Sequence, residues 1–563
     1  MRNFHGLGST THLISSIRTS KAMIMKKIVL TLFAILIETE LFAVQFINNG
    51  IHYNIPDPSK KECWLIKDTE NNGVVTSSNY SGMIVIPSQV EYEGEKYDVT
   101  KIDRYAFYGS KVSFISLPNS ILEIDINAFS NSANLEKVVL PNELEVIPKY
   151  CFSGCDNLKS IEIPDHVSKI DEGAFQYSGL ESVQLPAGIL YVGDYAFADS
   201  KGLKTMSISD SQVCWGKAVL RDCPKLESIE MQDTHPTLAI YNEMLISKDY
   251  TTIFFCPQSV KGEIQLHEKV KVIENSAFYG CSQISSVKFN ENIDSIQPLS
   301  FYGCSQLTEL QLPKGLKYIG DCAFERCSSV TKIDIPNSVK ELGFGCFYYT
   351  AISDITIPAS VEILGGKVFY TCDNLYKANV RGIIPPKRDS YLFPLRRNME
   401  IHVLKGLKSL YSTTEYWNEY STIYDDLEWI MATNIIIPQE EYTCGINEMK
   451  QAVAIVLPED ADAQTPVWSS SDESVVYIDK TGSFIGLKEG TANIIATAND
   501  GSGVYSTAIV HVQNGSSIGS IADNNQIFET ARFSLNGVRL SKPTKGINII
   551  VMNNGAIRKE IVR

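Results

Sequence analysis

The chain of 563 residues is long enough for about three to four domains, and it is acidic, with 50 Lys and Arg against 65 Asp and Glu. An acidic chain does not condense onto phosphate backbones, so nucleic acid is excluded as a general partner. The hydrophobic fraction of 44% excludes a mostly disordered chain. No apolar run reaches the length of about 18 residues that a membrane-spanning helix needs, so we predict no transmembrane segment.

The N-terminus carries the pattern of an export signal. Two lysines precede the short apolar stretch 28–37, and Leu-Phe-Ala follows it, ending at Ala43. A basic region, a short apolar core and a small residue at the cleavage point are typical of a signal peptide. We therefore predict a signal peptide over 1–43, with Met25 as an alternative start. The protein is expected to be exported, either secreted or held at the cell surface.

An internal repeat dominates the middle of the chain. Segments 135–141 and 158–164 share one pattern, L-x-x-[IV]-x-[IL]-P, and a phenylalanine recurs 22 or 23 residues apart within each block. The recurring residues are Phe107, Phe129, Phe152, Phe175, Phe197, Phe278, Phe301, Phe324, Phe347 and Phe369. Alternation with period two predicts a short strand with one buried face, and proline ends it. Stacking of such units predicts a solenoid over 84–380 with a parallel β-sheet of about 13 strands.

The full consensus adds an Ala-Phe pair and a following Cys, and it resembles the BspA-type leucine-rich repeat of bacterial surface proteins. The resemblance covers about 300 residues, with a 22–23-residue repeat. It implies a leucine-rich-repeat solenoid that binds partners at the bacterial cell surface. Extra residues around 92–97 and a hairpin-like insertion around 244–250 depart from the pattern.

Each end of the repeats is expected to carry a cap, because an open end would expose the core. Residues 44–83 alternate as short strands and predict an N-terminal β cap. Residues 381–432 predict a C-terminal cap with a last strand and a short helix. Trp417 in that segment is interpreted as a core residue rather than a binding residue.

After the cap the sequence changes to alternating short strands with turn residues. The motifs W-S-S-S-D at 468–472 and G-T-A-N-I at 490–494 resemble the group 2 bacterial Ig-like domain. This resemblance implies an all-β Ig-like sandwich over 433–513 that acts as a spacer or an adhesive arm. A polar linker over 514–526 and a C-terminal β tail over 527–563 follow, and the tail is either a sorting signal or a small β module.

The thirteen cysteines do not follow a disulfide pattern, since most of them lie at repeat-equivalent positions. Thiols in one column of stacked strands would be about 4.8 Å apart. A disulfide needs a Cβ separation of about 3.5–4.5 Å. We predict that most of them are small buried hydrophobic residues and that few or no disulfides form.

The sequence carries no motif for catalysis or for a cofactor. The eight histidines are scattered, and neither H-E-x-x-H, G-x-S-x-G nor a phosphate-binding G-x-x-x-x-G-K-[ST] occurs. The acidic turn at 499–503 is interpreted as a hairpin turn rather than a calcium site. We predict no enzymatic activity, no metal site and no cofactor.

The candidate binding surface is the outward face of the predicted sheet. The middle outward residue of each strand falls on one column, which contains Ser116, Val139, Glu162, Gln184, Ser207, Glu230, Gln265, Lys288, Gln311, Asp334, Thr356 and Asn379. A second column follows the repeated phenylalanine and contains Tyr279, Tyr302, Glu325, Tyr348 and Tyr370. The tyrosines are suited to protein contacts; the alternative is that they cover the edge of the core with only their hydroxyls exposed.

Together these features predict a non-enzymatic binding protein. The resemblance implies adhesion to host matrix proteins, host cell-surface proteins or other microbes, so the expected partner is a protein, bound by a monomer. Two alternatives remain open, a glycan-binding accessory protein in polysaccharide capture and a structural envelope protein. Sugar platforms need exposed Trp or Tyr pairs, and four of the five tryptophans fall in the caps or the Ig-like region, with only Trp215 inside a repeat.

Overall fold

The structure is a computed structural model of the chain. It describes residues 43–68, 76–308, 310–388, 390–393, 399–420, 422–513, 529–534, 542–543, 546–552 and 557–562. The chain divides into two compact units, Met1–Leu220 and Arg221–Arg563. The predicted signal peptide, up to residue 42, and the predicted linker over 514–526 lie outside the described residues.

The first unit begins with a small sheet in the region predicted as the N-terminal cap. Strands Val44–Asn48, Ile51–Ile55 and Glu62–Leu65 pair antiparallel, and a 3₁₀ turn at 58–60 joins the last two. Strand Glu62–Leu65 pairs parallel with Glu95–Ile102, which forms an antiparallel hairpin with Gln89–Tyr92. The extra residues around 92–97 are therefore a hairpin that extends the cap sheet.

The repeats of the first unit form turns that each contribute to two parallel sheets. The strands of the outward sheet are Ser81–Val85, Lys111–Ser116, Lys137–Val139, Ser182–Gln184 and Thr205–Ser207. The short strands on the other side of the core are Glu123–Ile124, Val146–Ile147, Lys169–Ile170, Tyr191–Val192 and Cys214–Trp215. The predicted parallel solenoid is confirmed.

The second unit continues the same two kinds of strand. The strands with outward polar residues are Ser228–Glu230, Gly262–Gln265, Ile284–Lys288, Asp354–Ile357 and Lys377–Val380. The opposite sheet contains Leu238–Tyr241, Met244–Ser247, Thr252–Phe255, Val272–Ile273, Ser295–Ile296, Tyr318–Ile319, Glu341–Leu342, Ile363–Leu364 and Lys387–Arg388. The insertion predicted around 244–250 is an antiparallel hairpin on that opposite sheet.

Three turns depart from the prediction of one strand per repeat. Residues 158–163, 310–312 and 330–335 follow the expected alternation of inward and outward side chains but are not β-strands. Their apolar residues still face the core; Ile333 and Ile335, for example, are buried. Burial of these side chains holds the turns in place, so the solenoid persists where the ladder of strand hydrogen bonds is interrupted.

The recurring phenylalanines form stacks through the centre of the turns. In the first unit the ring centroids of Phe107, Phe129, Phe152, Phe175 and Phe197 are 5.0 to 5.5 Å apart with planes within 11°. In the second unit the stack runs from Phe278 to Phe369 and adds Phe393, which the sequence analysis missed. Each offset aromatic pair is worth about 0.5–1.5 kcal/mol beyond its buried area.

The cysteines at the repeat-equivalent positions are buried as predicted, and four of them also donate hydrogen bonds. These four thiols donate to the phenylalanine carbonyl oxygen of the preceding turn, with Sγ to oxygen distances of 3.1 to 3.3 Å. The pairs are Cys155 with Phe129, Cys304 with Phe278, Cys327 with Phe301 and Cys372 with Phe347. Ser132 and Ser200 make the same bond with their hydroxyls. This position of the repeat therefore favours a small side chain that donates a hydrogen bond. All thirteen cysteines are free thiols.

The region predicted as the C-terminal cap contains a short helix and additional strands. Strands Glu400–Leu404 and Ile423–Leu427 extend the outward sheet beyond Lys377–Val380, and helix Lys408–Thr413 lies between them. Trp417 is fully buried, and its ring nitrogen donates to the carbonyl oxygen of Pro386. The interpretation of Trp417 as a core residue agrees with this burial.

The Ig-like region is an all-β sandwich with its own core. One sheet contains Glu441–Gly445, Tyr505–Gln513, Gly490–Thr497 and Val467–Ser470, and the other contains Met449–Gln451, Ser483–Gly486 and Val476–Ile478. Strands Asn434–Ile436 and Ile455–Leu457 pair separately. The sheets enclose Tyr442, Phe484 and Ile494. In the C-terminal tail, strands Glu529–Ser534, Gly546–Met552 and Ile557–Val562 pair antiparallel.

Candidate functional site

The predicted outward column lies on the surface, and we call these side chains the sheet face. Most of its members are exposed, namely Val139, Glu162, Gln184, Glu230, Gln265, Lys288, Gln311, Asp334 and Thr356. Ser116, Ser207 and Asn379 are half-buried. The residues of the column reach the surface because successive side chains of a strand point to opposite faces, and the neighbours on either side of each outward residue point into the core.

Strand pairing places several members of the sheet face beside one another. Gln184 lies opposite Ser207 in the first unit, and Gln265 lies opposite Lys288 in the second. Asn379 lies opposite Thr356, and its side-chain amide nitrogen is 3.2 Å from the hydroxyl oxygen that accepts the hydrogen bond. Glu162, Gln311 and Asp334 lie in the three turns without strands, so no ladder register is assigned to them.

The strand register of the sheet face continues through two residues that the sequence analysis missed, the buried His402 and the exposed Tyr424. His402 pairs in register with Asn379, and Tyr424 pairs in register with His402. The two rings stack with centroids 4.8 Å apart, and Nδ1 of His402 lies 2.8 Å from a carboxylate oxygen of Asp426. The alternation in Ile401-His402-Val403 could have indicated this strand. It was missed because the segment lacks the proline that ends the strand of each repeat.

The tyrosine column forms stacked pairs beside the core. Tyr279 and Tyr302 stack with centroids 4.7 Å apart and planes 8° apart. The guanidinium of Arg326 covers the other side of this pair, 5.9 Å from the Tyr302 centroid, and interaction with Tyr302 is the main cause that raises the pKa of Arg326. Tyr348 and Tyr370 stack less closely, at 6.1 Å. All four tyrosines are half-buried, so their faces are largely covered.

A second aromatic cluster lies where the inserted hairpin meets the sheet face. The rings of Tyr241 and Tyr250 lie 5.2 and 4.6 Å from the ring of His267. Asn242, at the tip of the hairpin, donates from its side chain to the carbonyl oxygen of Gln265, a member of the sheet face. The insertion therefore borders the sheet face in the second unit.

The Ig-like sandwich is attached to the repeats of the second unit by a buried ion pair. Arg381 follows the strand Lys377–Val380, and its Nε and Nη2 atoms each lie 2.7 Å from a carboxylate oxygen of Asp462. The Asp462 side chain is 1% exposed, and its carboxylate also accepts from the backbone N–H of Ile430. This ion pair therefore docks the sandwich on the solenoid.

Docking leaves a cleft of about 1220 Å³ between the sheet face and the sandwich. Its solenoid wall includes Gln265, Lys288, Gln311 and Asp334, which are predicted site residues. Its opposite wall comes from the segment 455–464 of the sandwich. A smaller cavity of about 350 Å³ shares part of this lining and reaches Thr356 and Arg381.

Among the residues that the structure describes, no group of three or more His, Cys, Asp or Glu is arranged to hold a metal ion. Within the same residues, no helix has the length and apolar character needed to cross a membrane. The acidic turn at 499–503 is a hairpin between two strands, and Asp500 accepts a hydrogen bond from the backbone of Ala432.

Comparison with protein families identifies both parts of the chain. The model of the BspA type leucine rich repeat region matches over residues 95–203, 168–262 and 251–376, in six copies, which together span half of the chain. The chain belongs to the BspA-type leucine-rich repeat family. A bacterial Ig-like domain of group 2 matches residues 431–508 of this BspA-type protein, in agreement with the sequence motifs at 468–472 and 490–494.

Individual relatives match this BspA-type protein over limited lengths. An uncharacterised protein of Clostridium acetobutylicum is 40% identical over 67 residues, which are 12% of this chain and 17% of that protein. An alpha-L-arabinofuranosidase of Bifidobacterium longum is 35% identical over 102 residues, which are 17% of this chain and 10% of the enzyme. A leucine-rich repeat protein of Bacteroides ovatus with a solved structure is 25% identical, with a TM-score of 0.36, covering 61% of this chain and 99% of its own.

Proposed function

We propose that this BspA-type protein is an exported, non-enzymatic binding protein that holds another protein on its sheet face. The observation that carries the proposal is the sheet face itself, a column of polar side chains raised above a buried core and repeated from turn to turn. A repeated surface of this kind offers an extended area for contact, which leucine-rich-repeat solenoids use for binding. The signal-like N-terminus supports export.

The arrangement of the tyrosines favours a protein partner over a glycan. A sugar platform needs an exposed aromatic face, but Tyr279 and Tyr302 cover each other and Arg326 lies over the remaining side of Tyr302. Trp417 is buried and Trp215 is 9% exposed. Adhesion to a surface protein is therefore the function we propose, with glycan binding and a structural envelope role as the alternatives.

The test is a binding screen of the full chain against matrix proteins, surface-protein extracts of known composition and a glycan array. We expect saturable binding to a protein. Charge reversal of Glu162 or Glu230 on the sheet face should weaken that binding, whereas charge reversal of Glu145, an exposed residue next to the opposite sheet, should leave it unchanged. Binding to glycans alone would replace the proposal with polysaccharide capture.

A further inference from the structure

The cleft between the sheet face and the Ig-like sandwich has features of a recognition site of its own. This inference rests on the proposed function and specifies which part of the sheet face a partner occupies. We propose that the cleft binds an extended, Lys- or Arg-rich segment of a protein partner. The solenoid supplies one wall and the sandwich the other, so neither part forms the site alone.

The shape of the cleft favours an extended chain. Its volume of about 1220 Å³ exceeds the range of about 300–1,000 Å³ usual for small-molecule sites. It is nevertheless far too small to admit a folded domain. The solenoid wall follows the sheet face across successive turns, from Gln265 through Lys288 and Gln311 to Asp334. A partner lying along these turns contacts one outward side chain per turn, which suits an extended segment.

The charge of the cleft favours a basic segment. The linings of the two cavities contain the carboxylates of Glu263, Glu291, Asp334, Asp354, Glu459, Asp460 and Asp462 and the cations of Lys288, Lys314, Lys332 and Arg381. Seven negative charges against four positive charges leave the lining acidic, with a net charge of −3. Carboxylates on both walls attract a cationic chain and repel an acidic one. The electrostatic field of the cleft therefore favours a basic segment over an acidic one and helps to orient it.

An unpaired polar atom provides an independent reason to expect a ligand. Ser360 lines the smaller cavity, is 8% exposed, and its hydroxyl has no hydrogen-bond partner among the described residues. A buried polar group without a hydrogen-bond partner is destabilising. A polypeptide backbone offers N–H and C=O groups that would pair with this hydroxyl.

The lining argues against an oligosaccharide in the same space. Phe289 is the aromatic residue of the described lining, and its ring packs edge-on against Phe301 of the core. A sugar ring would find no open aromatic face to stack on. Lysine and arginine side chains, in contrast, meet carboxylates on both walls.

The walls are held at a fixed separation by the ion pair of Arg381 with Asp462. The segment 455–464 is also braced internally, because the side chain of Gln464 donates to the carbonyl oxygens of Pro458 and Ala461. The cleft is therefore preorganised, and binding does not have to order its second wall.

The experiment measures fluorescence anisotropy of two labelled peptides of equal length with the full chain. One peptide alternates Lys and Thr, and the other alternates Glu and Thr. We expect saturable binding of the Lys peptide, weakened by added salt, and no binding of the Glu peptide. Variants Asp334→Lys on the solenoid wall and Asp460→Lys on the sandwich wall should each weaken binding by about fivefold or more.

The matched control is Glu145→Lys, an equal charge change at an exposed residue next to the opposite sheet and outside the cleft. All three positions are exposed, so none of the variants is expected to disturb folding. Equal weakening by Glu145→Lys, or no effect of Asp460→Lys, would overturn the cleft proposal. A protein ligand from the screen that binds normally to both cleft variants but not to Glu162→Lys would also overturn it, while leaving the proposed function intact.

Discussion

The thiol of Cys304 donates a hydrogen bond to the backbone carbonyl oxygen of Phe278 in the preceding turn, with 3.3 Å between Sγ and the oxygen. Ser132 makes the equivalent bond with its hydroxyl to Phe107. Cys304→Ser should therefore keep the bond and change stability little. Cys304→Val has a similar volume but no donor, so it should lower the free energy of unfolding by about 1–3 kcal/mol. Urea denaturation of both variants measures this, and equal stabilities would contradict the role of the thiol as a donor.

Chemical labelling should separate the exposed thiol from the buried ones. Cys214 is exposed, whereas Cys155 is fully buried, and burial raises the pKa of the Cys155 thiol to about 12. Because alkylation needs the thiolate, Cys155 should stay unreactive in the native protein at any pH well below 12. Iodoacetamide should modify Cys214 and leave Cys155 unmodified, as read by peptide mass spectrometry. Denatured protein, in which Cys155 should react, is the control.

A close approach between turns makes Gly343 sensitive to substitution. A Cβ atom on Gly343 would lie 2.5 Å from the backbone nitrogen of Asp321 in the preceding turn. Gly343→Ala should destabilise the protein by about 1–3 kcal/mol, because backbone atoms cannot move aside. Gly315→Ala is the matched control, since its Cβ would come no closer than 3.4 Å to another atom. A thermal unfolding scan in which the two variants behave alike would refute this account.

Removing Arg381 should release the Ig-like sandwich from the repeats. Arg381→Met leaves the buried carboxylate of Asp462 without its ion-pair partner, at a cost of about 2 kcal/mol or more. The backbone N–H groups of Ile430 and Asp462, which are hydrogen-bonded at this junction, should then exchange hydrogen about 30-fold faster. Hydrogen–deuterium exchange detects this change.

Two comparisons show whether such a change is specific to the junction. The amide of Ile494 in the core of the sandwich should keep its protection, because the sandwich has its own core. Arg326→Met removes an exposed arginine of the same unit and should not alter exchange at Ile430. Unchanged exchange at Ile430 in Arg381→Met would mean that the ion pair does not hold the junction.

The sequence predicted the features that depend on local periodicity. The spacing of Phe107 and its equivalents predicted the turns, and alternation predicted which residues of the sheet face point outward. His402 and Tyr424 were not predicted because their strands lack the pattern that ends in proline. The sequence analysis did not predict the hydrogen bonds of the thiols because it treated cysteine as a small apolar residue. The serines at the same position in other turns, Ser132 and Ser200, indicate a hydrogen-bond donor there.

The composite cleft could not be predicted from the sequence for a different reason. Arg381 and Asp462 are 81 residues apart and belong to segments with different patterns, so no periodicity connects them. The resemblance to the Ig-like domain covers the sandwich alone, and it does not indicate which residues of the solenoid the sandwich contacts. Contacts between two independently folding modules depend on surface complementarity, which a single sequence does not reveal.

The bonds between turns have a consequence for how such a chain can change over evolutionary time. The side-chain hydrogen bonds between Ser110 and Ser132 and from Cys304 to Phe278 join residues 22 and 26 positions apart, about one turn. Duplication or loss of one whole turn by recombination would therefore leave these donors with acceptors of the same kind. The sheet face would then lengthen or shorten in steps of one turn with these bonds kept.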